Sequence, residues 1–211
     1  IDICGTLQDP SNDYTDISLE SGPYTLVGHR VVYNPLENFN GDTEIFSYKV
    51  RDVSNVESTS VNVNIIVEAR NDTPIAYALS VQTPEDTSLN IDLSATDVDH
   101  DIFSYSDFSF IITSIDICGT LQDPSNDYTD ISSTPYTLLG HSVVYNPLEN
   151  YHGSNGFSYH VIDISGVSSE DAIVNITVEA QNDIPVIPEN LNFFLDEDKS
   201  LNFDLSAIDL E

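Results

Sequence analysis

Apolar and polar residues alternate in Leu89-Asn90-Ile91-Asp92-Leu93, in Phe157-Ser158-Tyr159-His160-Val161 and from Ile173 to Val178. A period of two sends successive side chains to opposite faces, so each stretch predicts a strand with one buried face. Turn formers punctuate them at Pro84-Glu85-Asp86, Asp97 to Asp101, Asp123-Pro124-Ser125-Asn126-Asp127, Asn150 to Asn155 and Ser165-Gly166. No run of ten or more residues carries apolar positions at helical spacing. About seven strands in roughly 110 residues predict an all-β, two-sheet sandwich of immunoglobulin-like, Greek-key architecture.

The same pattern occurs more than once. Residues 1–18, IDICGTLQDPSNDYTDIS, return unchanged as residues 115–132, and 23–41, 45–58, 63–74 and 85–97 answer 135–153, 156–169, 174–185 and 197–209. The period, about 111 to 114 residues, is a whole domain, far longer than the solenoid repeats of about 20–50 residues. Asn71-Asp72-Thr73-Pro74 and Asn182-Asp183-Ile184-Pro185 mark the junctions. The expected organisation is therefore the C-terminal part of one repeat (1–72), a complete repeat (73–183) and the N-terminal part of a further one (184–211). A chain that opens in mid-repeat is expected to be a stretch of a longer protein, so the lack of a leader at its start has no weight.

Composition changes the picture at one point, its charge. Asp and Glu number 36 against 5 Lys and Arg, for a formal charge of −31. That excludes a nucleic-acid surface and disfavours anionic membranes. Disorder does not follow, because 40 % of residues are hydrophobic, with 11 Tyr and 9 Phe, many at alternating positions. No stretch of about 18 apolar residues is present to span a membrane. Cys4 and Cys118 sit in the same local sequence, ICGTLQDP, one per copy, so they are expected a whole domain apart, beyond the ~7 Å Cα limit for a disulfide, and as small buried hydrophobes.

The succession PEDTSLNIDLSATDVDHD, YNPLENYHGSNGFSYHVID and VNITVEAQNDIP resembles the cadherin-like repeats of very large bacterial surface and secreted proteins, including adhesins that also carry VCBS-type repeats. The resemblance covers the whole chain. It implies tandem seven-strand sandwiches, an extracellular or cell-surface place, a structural or adhesive role without catalysis, and Ca²⁺ at the joints between repeats.

Alternating strand directions sort the acids into two groups. With the first strand (about 75–82) running down and the second (87–95) running up, Asp97 and Asp99 lie at the upper end. Asp163, closing the sixth strand, lies there too. They would meet Asn71 and Asp72 of the linker and Glu37 from the preceding repeat. At the lower end Glu85 and Glu149 would meet Asn182, Asp183 and Asp209. Oxygen-only donors of this kind suit Ca²⁺, which takes six to eight at about 2.3–2.6 Å. The resemblance implies ligand roles for Glu85, the Asp97-x-Asp99 pair, the linker Asn-Asp and Asp163. It departs from cadherins in a linker one residue shorter, in a missing Asp-Arg-Glu motif, which leaves Glu37 and Glu149 with the least support, and in having no Trp for strand exchange. Asp97-x-Asp99-x-Asp101 does not continue as an EF-hand, since Ile102 and Phe108 stand where Gly and Glu are needed.

Other readings of the same residues stay open. Asp, Asn and Pro are good turn formers without any metal, and this explains the loop 123–130 without a cation. The five histidines lack Cys or His partners at metal spacing and read as surface or packing residues. Asn71-Asp-Thr and Asn175-Ile-Thr match the glycosylation sequon. No nucleophile elbow, zincin motif or phosphate loop is present. The implied partners are calcium ions, neighbouring repeats and a cell-surface protein or glycan. The rival function is a carbohydrate- or protein-binding accessory module of a secreted enzyme.

Overall fold

The computed structural model describes residues 4–18, 22–99, 105–187 and 192–208. The chain divides into two compact units, Ile1–Asn71 and Asp72–Glu211. In the first, β1 (Gly5–Asp9), β2 (Thr15–Asp16) and β3 (Val32–Pro35) form an antiparallel sheet in the order β2-β1-β3. Its other strands, β4 (Gly41–Tyr48) and β5 (Val61–Val67), pair as an antiparallel ribbon with an irregularity between Glu44 and Phe46.

The second unit holds β6 (Ile75–Ala76), β7 (Leu79–Pro84), β8 (Leu89–Asp92), β9 (Ala95–Thr96), β10 (Phe108–Asp116) and β11 (Gly119–Asp123). It continues with β12 (Thr129–Asp130), β13 (Tyr136–Thr137), β14 (Ser142–Pro147), β15 (Gly153–Asp163) and β16 (Ala172–Glu179). One sheet has the order β13-β10-β15-β16-β7, the other β12-β11-β14-β8, with β6 and β9 as a separate pair. All seven expected strands are present. The first is broken into β6 and β7 and the second into β8 and β9, while β12 and β13 are short additions. β7 runs parallel to β16, with Leu79 opposite Val174 and Pro84 opposite Glu179, and among the described residues the other strand pairings are antiparallel. Among the described residues the one helical turn is a 3-10 segment at Tyr105–Asp107, and none is long and apolar enough to cross a membrane.

The alternation decides which residues make the core. Phe157, Tyr159 and Val161 of β15, Val174, Ile176 and Val178 of β16, and Ile91 and Leu93 point inward and are buried together with Phe110, Ile112, Leu121 and Val143. Burying one such Leu, Ile or Val side chain contributes roughly 1.5–3 kcal/mol, which is how two thin sheets hold without a disulfide. Intervening residues such as Asn175 and Thr177 face out.

Both tyrosines of the repeated motifs belong to this core. The Tyr159 hydroxyl donates toward the carbonyls of Tyr77 (2.7 Å) and Ser94 (2.9 Å), tying the interrupted first and second strands to β15. The Tyr145 hydroxyl donates to Cys118 O (2.7 Å) and accepts from Asn155 Nδ2 (2.9 Å). Burial, with Tyr151 and Cys118 nearby, pushes the Tyr145 phenol up from 10.0 to about 12; burial also raises Tyr159. A phenol whose folded value exceeds its unfolded one stabilises the fold fully below the unfolded value and loses that contribution as pH climbs through the folded one. Stability of the second unit is therefore expected to fall between about pH 10 and 12, followed by tyrosinate absorbance together with circular dichroism. Tyr145→Phe should flatten that fall.

The first unit repeats these details. Gly5, Thr6, Leu7 and Gln8 stand opposite Pro35, Asn34, Tyr33 and Val32, in the register by which Gly119, Thr120, Leu121 and Gln122 face Pro147, Asn146, Tyr145 and Val144. Asp13 and Tyr14 have φ of 49° and 56°, and so do Asp127 and Tyr128. In residues 184–208 the bridge between Val186 and Ile208 reproduces the pairing of Ile75 with Thr96.

Candidate functional site

Strand registers fix which acids share an end of the second unit. Pro84 closes β7 beside Glu179, Gly153 opens β15 opposite Val178, and Leu89 opens β8 opposite Tyr145 near the close of β14. Hence the segments 85–86, 149–150 and 180–183 emerge together. Hydrogen bonds join them: Glu85 N donates to Glu179 O (2.9 Å), the Glu85 carboxylate accepts from Gln181 N, and Asp86 Oδ1 accepts from Asn150 N (2.9 Å). Asp86 reaches this position through a left-handed φ of 57°, which Asp tolerates better than most side chains.

Glu85 is 6 % exposed, and among the described residues no cation pairs with it. Oδ2 of Asp183 is buried without a hydrogen-bond partner. Asn182 Nδ2 donates to Asp183 O (2.6 Å), and Glu149 is exposed. A buried carboxylate oxygen without a donor is costly and invites a cation.

At the opposite end, β9 lies against β6, so the linker and the Asp97-x-Asp99 segment are neighbours. Asp72 N donates to Asp99 Oδ2 (2.6 Å), and Asp99 N donates to Asp97 Oδ1 (3.0 Å). Asp163 ends β15 opposite Phe108 and is buried. Its Oδ1 accepts from Val167 N (2.7 Å), closing the turn into β16. Asp52 does the same in the first unit, accepting from Ser54 N (2.8 Å) and Val56 N (2.9 Å), so a turn-closing role is built into that position in both copies.

The remaining candidates do not add geometry. Glu37 and Asn71 belong to the first unit, and Asp209 lies outside the described residues. Among the described residues no three His, Cys, Asp or Glu side chains converge as a set able to hold a metal ion. Oxygen donors alone, with one buried and orphaned, fit a hard cation such as Ca²⁺ in kind.

Sequence reasoning missed the role of Asp123. Its carboxylate is fully buried and accepts from Ser125 N (2.9 Å), Leu139 N (3.0 Å) and Tyr136 Oη (3.4 Å). Asp9 repeats this with Ser11 N (2.9 Å), Val27 N (2.9 Å) and Tyr24 Oη (3.4 Å). The 123–130 loop is thus organised from within by its own carboxylate, and no cation is needed to explain it. Asn155 was also missed: it is 8 % exposed and joins Cys118 N (2.6 Å) to the Tyr145 hydroxyl (2.9 Å). The duplicated Asp-Pro-Ser-Asn turn was a visible signal for Asp123; nothing in the alternation pattern signals Asn155.

The cysteines correct an expectation. Both are free, but Cys118 is exposed and Cys4 half-buried. The backbone around Cys118 is anchored, because its carbonyl and amide carry the Tyr145 and Asn155 bonds. Two of the histidines make specific contacts: His141 stacks on Tyr105 at 3.7 Å, and His160 Nδ1 lies 3.2 Å from Asp171 Oδ1.

Two face-to-face sheets, a parallel first-to-last strand pairing and turn-closing carboxylates define an immunoglobulin-like module. A family model described as a bacterial Ig domain matches residues 71–177, just over half of the chain, and the chain belongs to that family. No curated protein sequence matches it. Among solved structures, an endo-fucoidan hydrolase from glycoside hydrolase family 107 is 18 % identical over 72 % of this chain and 20 % of that one, with a TM-score of 0.36. Fibronectin(III)-like modules of Clostridium thermocellum CbhA are 16 % identical over 83 % of this chain and 77 % of theirs, at 0.29. Surface layer protein SbsC, domains 4–9, is 13 % identical over 88 % of this chain and 23 % of that one, at 0.34. The chain thus spans only a small part of two of these three proteins.

Proposed function

We propose that this chain is a stretch of a cadherin-like extracellular array, non-catalytic and surface-associated, whose acidic joints take Ca²⁺ and stiffen the array as an adhesive rod or spacer. One observation carries the reading: at one end of the second unit, among the described residues, Glu85 is buried without a cation and Asp183 Oδ2 is buried without a donor. Glu85, Glu149, Asn182, Asp183 and Asp209 would serve this joint, and Glu37, Asn71, Asp72, Asp97, Asp99 and Asp163 the other. Bound Ca²⁺ would supply the positive charge that these oxygens lack.

The rest follows from the chain. On a molecule of formal charge −31, carboxylates held in one linker repel each other and favour angles that separate them. Neutralised, they hold Asp72 against Asp99 and Gln181 against Glu85 and leave one angle. Extracellular modules of this kind bind at ~10⁻⁴–10⁻³ M, so about 10 mM Ca²⁺ should add about 1.5–2.5 kcal/mol. The midpoint of thermal unfolding is therefore expected to rise by about 5 °C over EGTA at matched ionic strength. Asp97→Ala with Asp99→Ala should remove part of the rise. A midpoint that ignores Ca²⁺ would defeat the proposal.

A carbohydrate-binding accessory role has one observation in its favour. Tyr14 and Tyr128 are 59 % and 58 % exposed at the tip of the same loop in each unit. Glycan binding that is equal in Ca²⁺ and in EGTA is what would separate this role from the joint reading.

A further inference from the structure

In the complete repeat the outer faces of the two sheets treat the same kinds of residue differently. On the four-stranded sheet the outward polar side chains are engaged with one another. Asn146 Nδ2 donates to Thr120 Oγ1 (3.3 Å) and Gln122 Oε1 (3.0 Å), Gln122 Nε2 to Asp130 Oδ1 (2.8 Å), and Ser88 Oγ to Asn146 Oδ1 (2.5 Å). A ligand on that face would have to break these bonds to gain its own.

On the five-stranded sheet β10, β15 and β16 present a shallow notch of about 310 Å³. Its floor is Gly156, which stands opposite Asp116 of β10 on one side and Asn175 of β16 on the other; one row away Ser158 stands between Ser114 and Ile173. Neighbouring strands are about 4.8 Å apart, so Asp116 and Asn175 rise roughly 10 Å from each other with bare backbone between them. A Cβ added at Gly156 would meet Val174 O at 2.9 Å, so the floor stays bare. Asp116, Asn175 and Ser114 are exposed and Ser158 is half-buried. Among the described residues the side chains of these four make no hydrogen bond to the protein. The first copy differs at the floor, with Glu44 opposite Asn64 where Gly156 stands opposite Asn175.

These groups suit a ligand that carries hydroxyls around an apolar ring. A carboxylate accepts, an amide donates and accepts, and a serine hydroxyl does both, so groups on two sides of a gap one ring wide can hold the hydroxyls of a sugar. Ile173, 54 % exposed, offers apolar surface to its C–H face. Charge selects among sugars, because Asp116 on a chain of formal charge −31 repels sulfated and uronic ones. The volume is at the small end of ligand sites, room for one ring.

We infer that the outer face of β10, β15 and β16 binds a neutral hexose unit of a glycan, with Asp116 and Asn175 holding hydroxyls on opposite sides of the ring and Ser114 and Ser158 those along its edge. No metal takes part, so this site stands apart from the calcium joints, and it uses none of the loop-tip tyrosines.

The test is affinity electrophoresis of the 211-residue chain in EGTA through gels containing mannan, galactan or dextran, with dextran sulfate as the anionic comparison. At least one neutral polymer should retard the chain, and dextran sulfate should not. The matching methyl glycoside, titrated into the ¹⁵N-labelled chain, should shift the Asn175 side-chain amide resonance with a Kd of about 1 mM. Asp116→Ala and Asn175→Ala should each weaken binding at least about tenfold. Neither side chain is hydrogen-bonded among the described residues, so the melting midpoint should hold. Tyr128→Ala should bind as the unaltered chain does. No retardation by any of the three neutral polymers overturns the inference, as does retardation that survives both substitutions or is stronger in dextran sulfate. Binding lost with Tyr128→Ala alone assigns the glycan to the loop tip and overturns it too.

Discussion

Asp123→Ala is expected to destabilise the second unit by about 3 kcal/mol. The carboxylate is fully buried and is the acceptor for Ser125 N, Leu139 N and the Tyr136 hydroxyl. Alanine leaves those donors facing each other, at a cost of about 1–3 kcal/mol for each one that water cannot reach. It also removes one of 36 acidic groups, but relief of surface repulsion is spread over the molecule and is smaller than the local loss. Asp123→Asn keeps an acceptor and the shape, so it should lose about half as much. Urea unfolding gives the totals, and hydrogen exchange at Ser125 and Leu139 locates the loss. A decrease below about 1 kcal/mol, or unchanged exchange at those amides, contradicts this account of the loop.

Gly119→Val should be costlier, about 4 kcal/mol. Gly119 opens β11 with a φ of 143°, in the region that favours glycine, and a Cβ there would stand 2.1 Å from Asn146 O and 3.0 Å from Pro147 Cα. Those atoms are backbone of β14, so they can recede only by opening the β11–β14 pairing. The strained φ costs about 1–3 kcal/mol and the overpacking a similar amount. Gly166→Ala is the control: its φ of 84° is also positive, but no atom lies within 4 Å of the added carbon. Its cost should be about 1 kcal/mol, from backbone strain alone. Equal losses at the two sites would mean that the close approach of β14 does not matter.

The fold was legible because its signal is periodic. In Phe157-Ser158-Tyr159-His160-Val161 a single parity choice decides which residues are core, and all three of the apolar positions are buried. The repeat then carried the reading from one copy to the other. Departures came where local backbone, not side-chain pattern, decides. β7 and β8 are separated from β6 and β9 because the chain changes sheets there, with the Tyr159 hydroxyl bridging the break. Cys118 looks like a core residue by composition, yet it sits beside Gly119 at the short connection between β10 and β11 and is exposed.

At the candidate joints the legible part was topological. Strand direction alone places Glu85 with the segments 149–150 and 180–183, and Asp72 with Asp97 and Asp99. Sequence could not distinguish a carboxylate that closes its own turn from one left over for a ligand. Asp163 and Asp123 accept from backbone amides close by, which is how acids in turns are ordinarily satisfied. Glu85 differs, for it reaches across 96 positions of sequence to the amide of Gln181. Asp183 keeps a buried oxygen with no donor.

Calcium-dependent stiffness is the central claim, and small-angle scattering of the 211-residue chain in millimolar Ca²⁺ and in EGTA tests it most directly. The proposal predicts a larger radius of gyration and a narrower distance distribution in Ca²⁺, as one inter-unit angle replaces many, with Asp97→Ala plus Asp99→Ala giving the EGTA curve in both buffers. Superimposable curves for the unaltered protein in Ca²⁺ and EGTA would contradict it.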